Sequence, residues 1–453
     1  MFEEISHQIG ASSCVGANGW VAMLESYPVF KALNTSLKAD WLIVGAGFAG
    51  VAAARRLREL NQNDEIVMLD ASRIGHGPAG RSSGFMIDLP HKLSSESYFD
   101  NLDADKAHIR RNRLAIQFVR RIIETDKLDP QILRDCGKIN VAATDRGQLL
   151  LAIYRDHLDH LEEQYDVVNP EELSKITGSN YYTEGLRTPT TSLLHPAAYL
   201  QQVSQSLVKL GVKIFEISPV TSLVSDTQYV AETPMGRVAA PKVILATNGN
   251  IRMFQHYEHN LLDVFTFASL TRPLKPSERE ALKGNDFWGL IPADPMGTTV
   301  RRLSGALYGG DRLLVRNRFT FSSSSKKLSD SRLANIQLQH RRSFEVRFPM
   351  LEPIGFEHFW GGRLCLSKNS VPIFGPIGTG LFAACCQNGM GSVNGTLSGM
   401  LVADLASGHR EHQSSIDELL QTESPSRVPP QPITNLIGNL IIKKRESRAG
   451  AEL

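Results

Sequence analysis

Trp41-Leu42-Ile43-Val44-Gly45-Ala46-Gly47-Phe48-Ala49-Gly50 reads as a buried strand, a glycine turn and the start of a helix. Leu42 to Val44 supply the strand and Gly45 the tight turn; Gly47 lets backbone approach a pyrophosphate, and Gly50 permits close helix packing. The helix predicted over Val51 to Leu60 offers N–H groups and a positive dipole end to phosphates. Glu65-Ile66-Val67-Met68-Leu69-Asp70 follows as a second parallel strand, completing a βαβ unit. Asp70 closes that strand, placed to accept hydrogen bonds from an adenosine ribose. The pattern binds a dinucleotide and by itself leaves NAD and FAD both open.

The surrounding chain has 453 residues, 42% of them hydrophobic and 21% charged, with a net charge of +2. That length can bury a large core in two or three lobes. The near balance of charge gives no reason to expect nucleic acid or an acidic membrane as main partner. Cys14, Cys136, Cys365, Cys385 and Cys386 lack metal-ligand spacing, and their odd number argues against a disulfide framework. No metal site is expected. Neither a leader pattern nor a run of about 18 apolar residues is visible, so a cytoplasmic protein without a membrane span is the expectation.

Beyond Asp70, Ala71 to Phe85 is a glycine and serine loop that follows the adenosine unit directly and is placed to continue along the cofactor. Ser94 to Leu128 reads as a helix with a strongly basic face, Ile139 to Ala143 as a strand, Gln148 to Tyr165 as a helix and His195 to Leu210 as another. Arg237 to Gly249 reads as one strand ending in a small-residue turn and returning to the first sheet. Strand signals, Gly305 to Tyr308 and Arg312 to Val315 among them, dominate from Phe265 to Phe348, which predicts an antiparallel lobe. Trp360 to Cys365 and Leu381 to Cys385 read as strands returning to the first lobe, before a helix that runs through Ala406. Gln421 to Pro432 is a strap, and Leu436 to Arg448 a short helix whose cluster Lys443-Lys444-Arg445 reads as solvated rather than as a membrane contact.

In their order and spacing these pieces resemble the D-amino-acid-oxidase-like FAD oxidoreductases, and among them the γ-glutamylputrescine oxidase branch. The resemblance runs from about Tyr27 to Lys444. It is carried by the glycine fingerprint, the loop Arg73-Ile74-Gly75-His76-Gly77-Pro78-Ala79-Gly80-Arg81-Ser82-Ser83-Gly84, and the turn Ala246-Thr247-Asn248-Gly249. Trp360-Gly361-Gly362 with Asn369 and Pro372, the glycine cluster Gln387-Asn388-Gly389-Met390-Gly391-Ser392 and the strap from Arg427 carry the rest. It implies a Rossmann-like α/β FAD-binding domain of the glutathione-reductase type with an inserted antiparallel β-sheet substrate domain. The expected division is an arm at 1–38, an FAD-binding domain at 39–90, 190–255 and 355–410, a substrate domain at 91–189 and 256–354, and a strap and basic tail at 421–453.

By the same resemblance the cofactor is FAD. It implies contacts from Gly45, Gly47, Phe48, Ala49, Gly50, Asp70, Ala71, Arg73, Gly80, Arg81, Ser82, Ser83 and Gly84, with the backbone at Val220 on the adenine. Thr247, Gly249, Gly362, Asn388, Gly389, Met390, Gly391 and Ser392 complete the set. Asp70 stands where many members carry Glu, and Met390 where many carry His. The implied reaction is oxidation of a carbon–nitrogen bond by hydride transfer to flavin N5, giving an imine that hydrolyses, with O2 or an electron carrier as acceptor. The cofactor supplies the redox chemistry, so no catalytic triad is expected.

For the substrate, Arg316 is a candidate anchor for an anionic group, and Trp360 and Met390 candidate walls. His76 in the flavin loop, Lys368 at a strand end and Arg302, preferred to Arg301 as the arginine facing a carboxylate, are the candidate catalytic residues. His195 reads as structural. Cys365 reads as a buried strand cysteine, although some relatives tether FAD through a cysteine nearby. A flavin dehydrogenase, a 2-hydroxy-acid oxidase, or a flavoprotein acting through a protein partner remain alternatives, because one scaffold hosts many chemistries.

Overall fold

The computed structural model describes residues 14–26, 28–90, 101–351 and 353–453. Its centre is a six-stranded sheet in the order Lys213–Phe215, Ile66–Leu69, Trp41–Val44, Lys242–Leu245, Leu381–Cys385, Ile373–Gly378. Every neighbouring pair is parallel except the last. Strands buried on both faces read as unbroken apolar runs, as Trp41 to Val44 and Ile66 to Leu69 do.

One face of this sheet is covered by the helices Phe48–Leu60, Leu102–Thr125, Pro196–Lys209 and Gly391–Ser407 around one apolar cluster. Two of them nearly touch: a Cβ on Gly399 would lie 2.0 Å from the Ala49 carbonyl oxygen. The other face is covered by the small sheet Ser222–Ser225, Tyr229–Glu232, Arg237–Ala240 and Ser36–Lys38. This is the three-layer arrangement of a Rossmann-like FAD fold.

The second body is a nine-stranded sheet. Its order is Cys14–Val15, Phe356–Ser367, Leu261–Thr271, Arg312–Phe321, Thr299–Leu303, Trp288–Pro292, Lys138–Ala142, Glu184–Thr188, Asp166–Val168. It is antiparallel apart from the parallel junction of Trp288–Pro292 with Lys138–Ala142.

Several expectations are corrected. Arg237 to Gly249 is two strands in two sheets, because Pro241 has no N–H to continue a ladder. Trp360 to Cys365 belongs to the nine-stranded sheet, paired along its length with Leu261–Thr271, and not to the first lobe. Gly305 to Tyr308 is a turn with Gly305 at φ 120°, not a strand. The stretch read as strand-rich ends in the helix Asp330–Arg347, capped by Ser329, whose buried Ile336, His340, Ser343, Phe344 and Arg347 recur at helical spacing.

The helix expected from Ser94 spans Leu102–Thr125, and its first expected turns lie outside the described residues. From Ala115 onward it packs on the FAD-binding core, while Ile109 joins Ala142 and Leu186 of the large sheet. Its basic face is matched by acids: Arg111 pairs with Glu418, Arg113 with Asp88 and Glu163, Arg120 with Asp135. Among the described residues no helix is long and apolar enough to cross a membrane.

Two fully buried histidines tie stability to pH. His195 accepts a hydrogen bond at Nδ1 from the Ala198 N–H, and His340 Nδ1 lies 2.8 Å from the Ser269 hydroxyl. Burial lowers each pKa from 6.5 to about 3. Below the ordinary histidine value the unfolded chain therefore binds protons that the folded chain refuses, so stability falls as pH is lowered from 6.5 toward 3. The expected loss is about 1 kcal/mol per histidine between pH 6.5 and 5.5. The melting temperature followed from about pH 7 to about pH 5 should fall, with a shallower slope in His340→Gln; a flat profile contradicts the assignment.

Candidate active site

The cleft opens at the carboxyl ends of the parallel strands, where an open α/β sheet binds ligands. It holds about 1850 Å³ of atom-free space, its mouth included, and runs from Asp70 and Val220 past the glycine turn to Trp360 and Arg316.

At the first end, Gly45 turns the chain at φ 104° and donates its N–H to the Leu69 carbonyl at 2.7 Å. Gly50 lies so close that a Cβ there would sit 1.8 Å from the Gly45 oxygen. The helix Phe48–Leu60 starts at Gly47 with no side-chain cap and no acid in its first turn, which leaves N–H groups for an outside acceptor. Asp70 accepts from the Ala46 N–H at 2.8 Å and the Ser72 N–H at 2.7 Å. Burial raises its pKa, and those two donors pull it back.

The loop after Asp70 is fastened on three sides. Glu216 accepts from Ile74 at 2.6 Å and from Phe30 at 3.1 Å, so one carboxylate joins the loop to the N-terminal arm. Arg81 donates through Nε to the His76 carbonyl at 2.8 Å and through Nη1 to those of Val15 and Gly16 at 2.8 and 2.9 Å. Trp20, also in the arm and fully buried, donates to the Ser82 carbonyl at 2.8 Å. Arg301 donates to the carbonyls of Ser83, Gly84 and Leu194 at 2.9 to 3.0 Å, enclosed by the rings of Trp20, Phe85 and Phe287.

A second uncapped helix N-terminus enters the cleft at Gly391, with Met390 in the cap position and the Ser392 hydroxyl donating to Phe85 O at 2.7 Å. Phe267, Trp360, Gly362, Arg363 and Arg316 form the wall contributed by the large sheet. Arg363 lies 3.8 Å from Asp263, whose closer partner is Arg252 at 2.5 Å, and hydrogen-bonds Asn250. Arg316 stacks over Phe319 at 4.8 Å and, among the described residues, has neither an acid nor a hydrogen-bond acceptor. Burial alone lowers its pKa to about 10.

Most of the expected cofactor positions line this cleft, from Gly45 and Asp70 through Val220, Thr247 and Gly249 to Gly362 and Gly391. Gly50 and Gly84 stand behind it and set backbone spacing, Gly84 facing Leu194 O and Arg301. Asn388 turns away to accept from the Ser367 N–H at 2.8 Å, and Met390 packs on the apolar core.

None of the three candidate catalytic residues lines the cleft. Arg302 makes a two-pronged pair with Asp311 at 3.1 and 2.8 Å, and Lys368 is exposed on the surface. His76 contributes the carbonyl that holds Arg81, and burial with the nearby arginines lowers its pKa. Strand alternation explains the misplaced choice between adjacent arginines: when Arg302 faces Asp311, Arg301 must face the flavin loop. Trp20 and Glu216 carried no sequence signal at all.

Residues 40–405 match the DAO family of FAD dependent oxidoreductases, and the chain belongs to that family. The probable oxidoreductase OrdL of Haemophilus influenzae is 28% identical over 432 residues, covering 93% of each chain. The gamma-glutamylputrescine oxidoreductase of Escherichia coli is 23% identical over 404 residues, covering 86% of this chain and 89% of its own. Among solved structures, glycine oxidase from Geobacillus kaustophilus shares the fold with a TM-score of 0.68 at 18% identity, covering 83% of this chain and 96% of its own. The protein is therefore an FAD-dependent oxidoreductase. The cleft fits that cofactor: two uncapped helix N-termini suit its anionic parts, and backbone packing leaves no space for side chains behind the turn.

Proposed function

We propose that the enzyme oxidises the carbon–nitrogen bond of an amine or amino acid bearing a carboxylate, with O2 as acceptor. The observation that carries this reading is Arg316, a half-buried guanidinium in the cleft wall with no partner among the described residues. A partly desolvated cation without a counter-ion is costly, and a substrate carboxylate would compensate it in the bidentate geometry arginine favours. The gamma-glutamylputrescine oxidoreductase relative is named for a substrate class in which an amine and a carboxylate occur together.

In this reading the Gly45–Gly50 turn and helix hold the pyrophosphate, Asp70 the ribose and the Val220 backbone the adenine. The Gly391 N-terminus would favour the negative charge that a flavin held in this cleft gains on reduction. FAD bound there supplies the acceptor for a hydride leaving the carbon beside the amine nitrogen. Arg316 fixes the carboxylate and so the direction in which that carbon points, while Trp360 and Phe267 exclude water. Among the described residues Asp70 is the only carboxylate lining the cleft and no histidine lines it, which leaves water to take the proton of the amine before it reacts.

An anaerobic flavin-bleaching screen tests this. γ-Glutamylated and other carboxylate-bearing amines should bleach the yellow absorbance faster than neutral amines of equal length, and peroxide should form in air. Bleaching by 2-hydroxy acids but by no amine overturns the proposal, and bleaching without aerobic turnover reassigns the acceptor to an electron carrier.

A further inference from the structure

The helix Gln431–Ala449 has two apolar faces, and the body of the protein covers one of them. On the inner side Gly438 meets the Phe321 ring so closely that a Cβ would lie 2.5 Å from it. Ile442 and Ala449 join Val264, Met296 and Phe319 in a small apolar cluster. Asn439 donates to the Phe321 carbonyl at 2.9 Å and accepts from its N–H at 3.0 Å, and Glu446 pairs with Arg318 at 3.2 Å. The helix is thus fixed by its inner face.

The outer face carries Ile433, Leu436, Ile437, Leu440 and Ile441, each 48% to 65% exposed. They recur at the i, i+3, i+4, i+7, i+8 spacing of a continuous apolar stripe. Immediately beyond come Lys443, Lys444 and Arg445, all exposed. With about 100° of rotation per residue, Lys444 continues the middle of the stripe and Lys443 its edge. The turn that follows Phe321 adds exposed Lys326 and Lys327.

We propose that this outer face docks the enzyme on the surface of an anionic phospholipid bilayer, the helix lying in the interface and not crossing it. Aliphatic side chains would enter the acyl boundary while the lysines reach up to headgroup phosphates. Charge selects this occupant over a second copy of the chain, because two such faces would bring their basic ends against each other's apolar stripe. The surface lies apart from the cleft, so the inference does not depend on the substrate reading.

The test is flotation of the holoenzyme with vesicles of phosphatidylcholine alone and of phosphatidylcholine with phosphatidylglycerol. Binding should require the anionic lipid and weaken with salt. Leu436→Glu with Leu440→Glu should lower partitioning by at least about tenfold, and Lys443→Gln with Lys444→Gln by about tenfold or more, since each lysine near such a surface adds about 1 kcal/mol. Flavin content and turnover of a soluble acceptor should be unchanged in both variants, which shows that they fold. The proposal is overturned if the wild-type protein stays soluble with anionic vesicles, or if it binds both vesicle types equally. It is equally overturned if sedimentation shows a dimer that Leu436→Glu dissociates while no vesicle binds.

Discussion

Arg316→Met should lower kcat/KM for a carboxylate-bearing amine by about 30- to 1000-fold, while a neutral amine of the same length changes by less than about threefold. The range follows from the roughly 2 to 4 kcal/mol lost when one partner of a desolvated, hydrogen-bonded charge pair is removed. Methionine keeps the length and apolar stem that pack on Phe319, so folding is spared. It also removes a half-buried cation that has no counter-ion among the described residues, and the melting temperature should hold or rise. Equal losses on both substrates would show that Arg316 shapes the wall without holding the carboxylate.

Gly50→Ala is expected to leave the enzyme largely without FAD. A methyl group there would lie 1.8 Å from the Gly45 carbonyl oxygen and 2.9 Å from its carbon, both backbone atoms that no rotamer change can move. Either the helix Phe48–Leu60 slides outward or the turn at Gly45 opens, and both withdraw the N–H groups from the pyrophosphate. Overpacking of this kind costs about 3 kcal/mol, a loss of about 100-fold in FAD affinity. Gly355→Ala is the matched control, because a Cβ there meets nothing within 4 Å. Flavin content after purification and titration of the apoprotein with FAD provide the measurement. Full flavin occupancy in Gly50→Ala would refute the tight-packing account of this glycine.

The two predictions differ in how early they could be read. Gly45, Gly50 and Asp70 were legible because a dinucleotide turn is a local structure: its glycines, strand and helix are contiguous, and backbone sterics choose the residues. The helix at Gly391 was legible for the same reason. Arg316 could be named as a candidate, yet its significance rests on what does not surround it, and a chain read in order has no access to that. Arg302 and Arg301 make the point at closer range. Adjacent in sequence and equal in chemistry, they are separated by the pleat, which sends one to Asp311 and the other to the carbonyls of the flavin loop.

Longer-range errors have the same origin. The strand Phe356–Ser367 follows the substrate region and precedes the return to the parallel sheet, and only pairing with Leu261–Thr271 assigns it to the larger body. The helix Asp330–Arg347 carried its period in Ile336, His340 and Phe344, but many of its residues are polar or charged and it lacks a strong apolar stripe.

The βαβ cofactor-binding unit is legible in the chain because its residues are contiguous and chosen by local sterics, and the resemblance built on it and on the order of the other motifs carries the oxidoreductase family. The small sheet that forms the third layer, the lack of a partner for Arg316, the ties of Trp20 and Glu216 between arm and loop, and the uncovered apolar face of the last helix emerge only in the folded molecule. Each of these depends on whether a distant side chain arrives to pair or to cover, and burial and pairing are properties of the folded neighbourhood rather than of the chain.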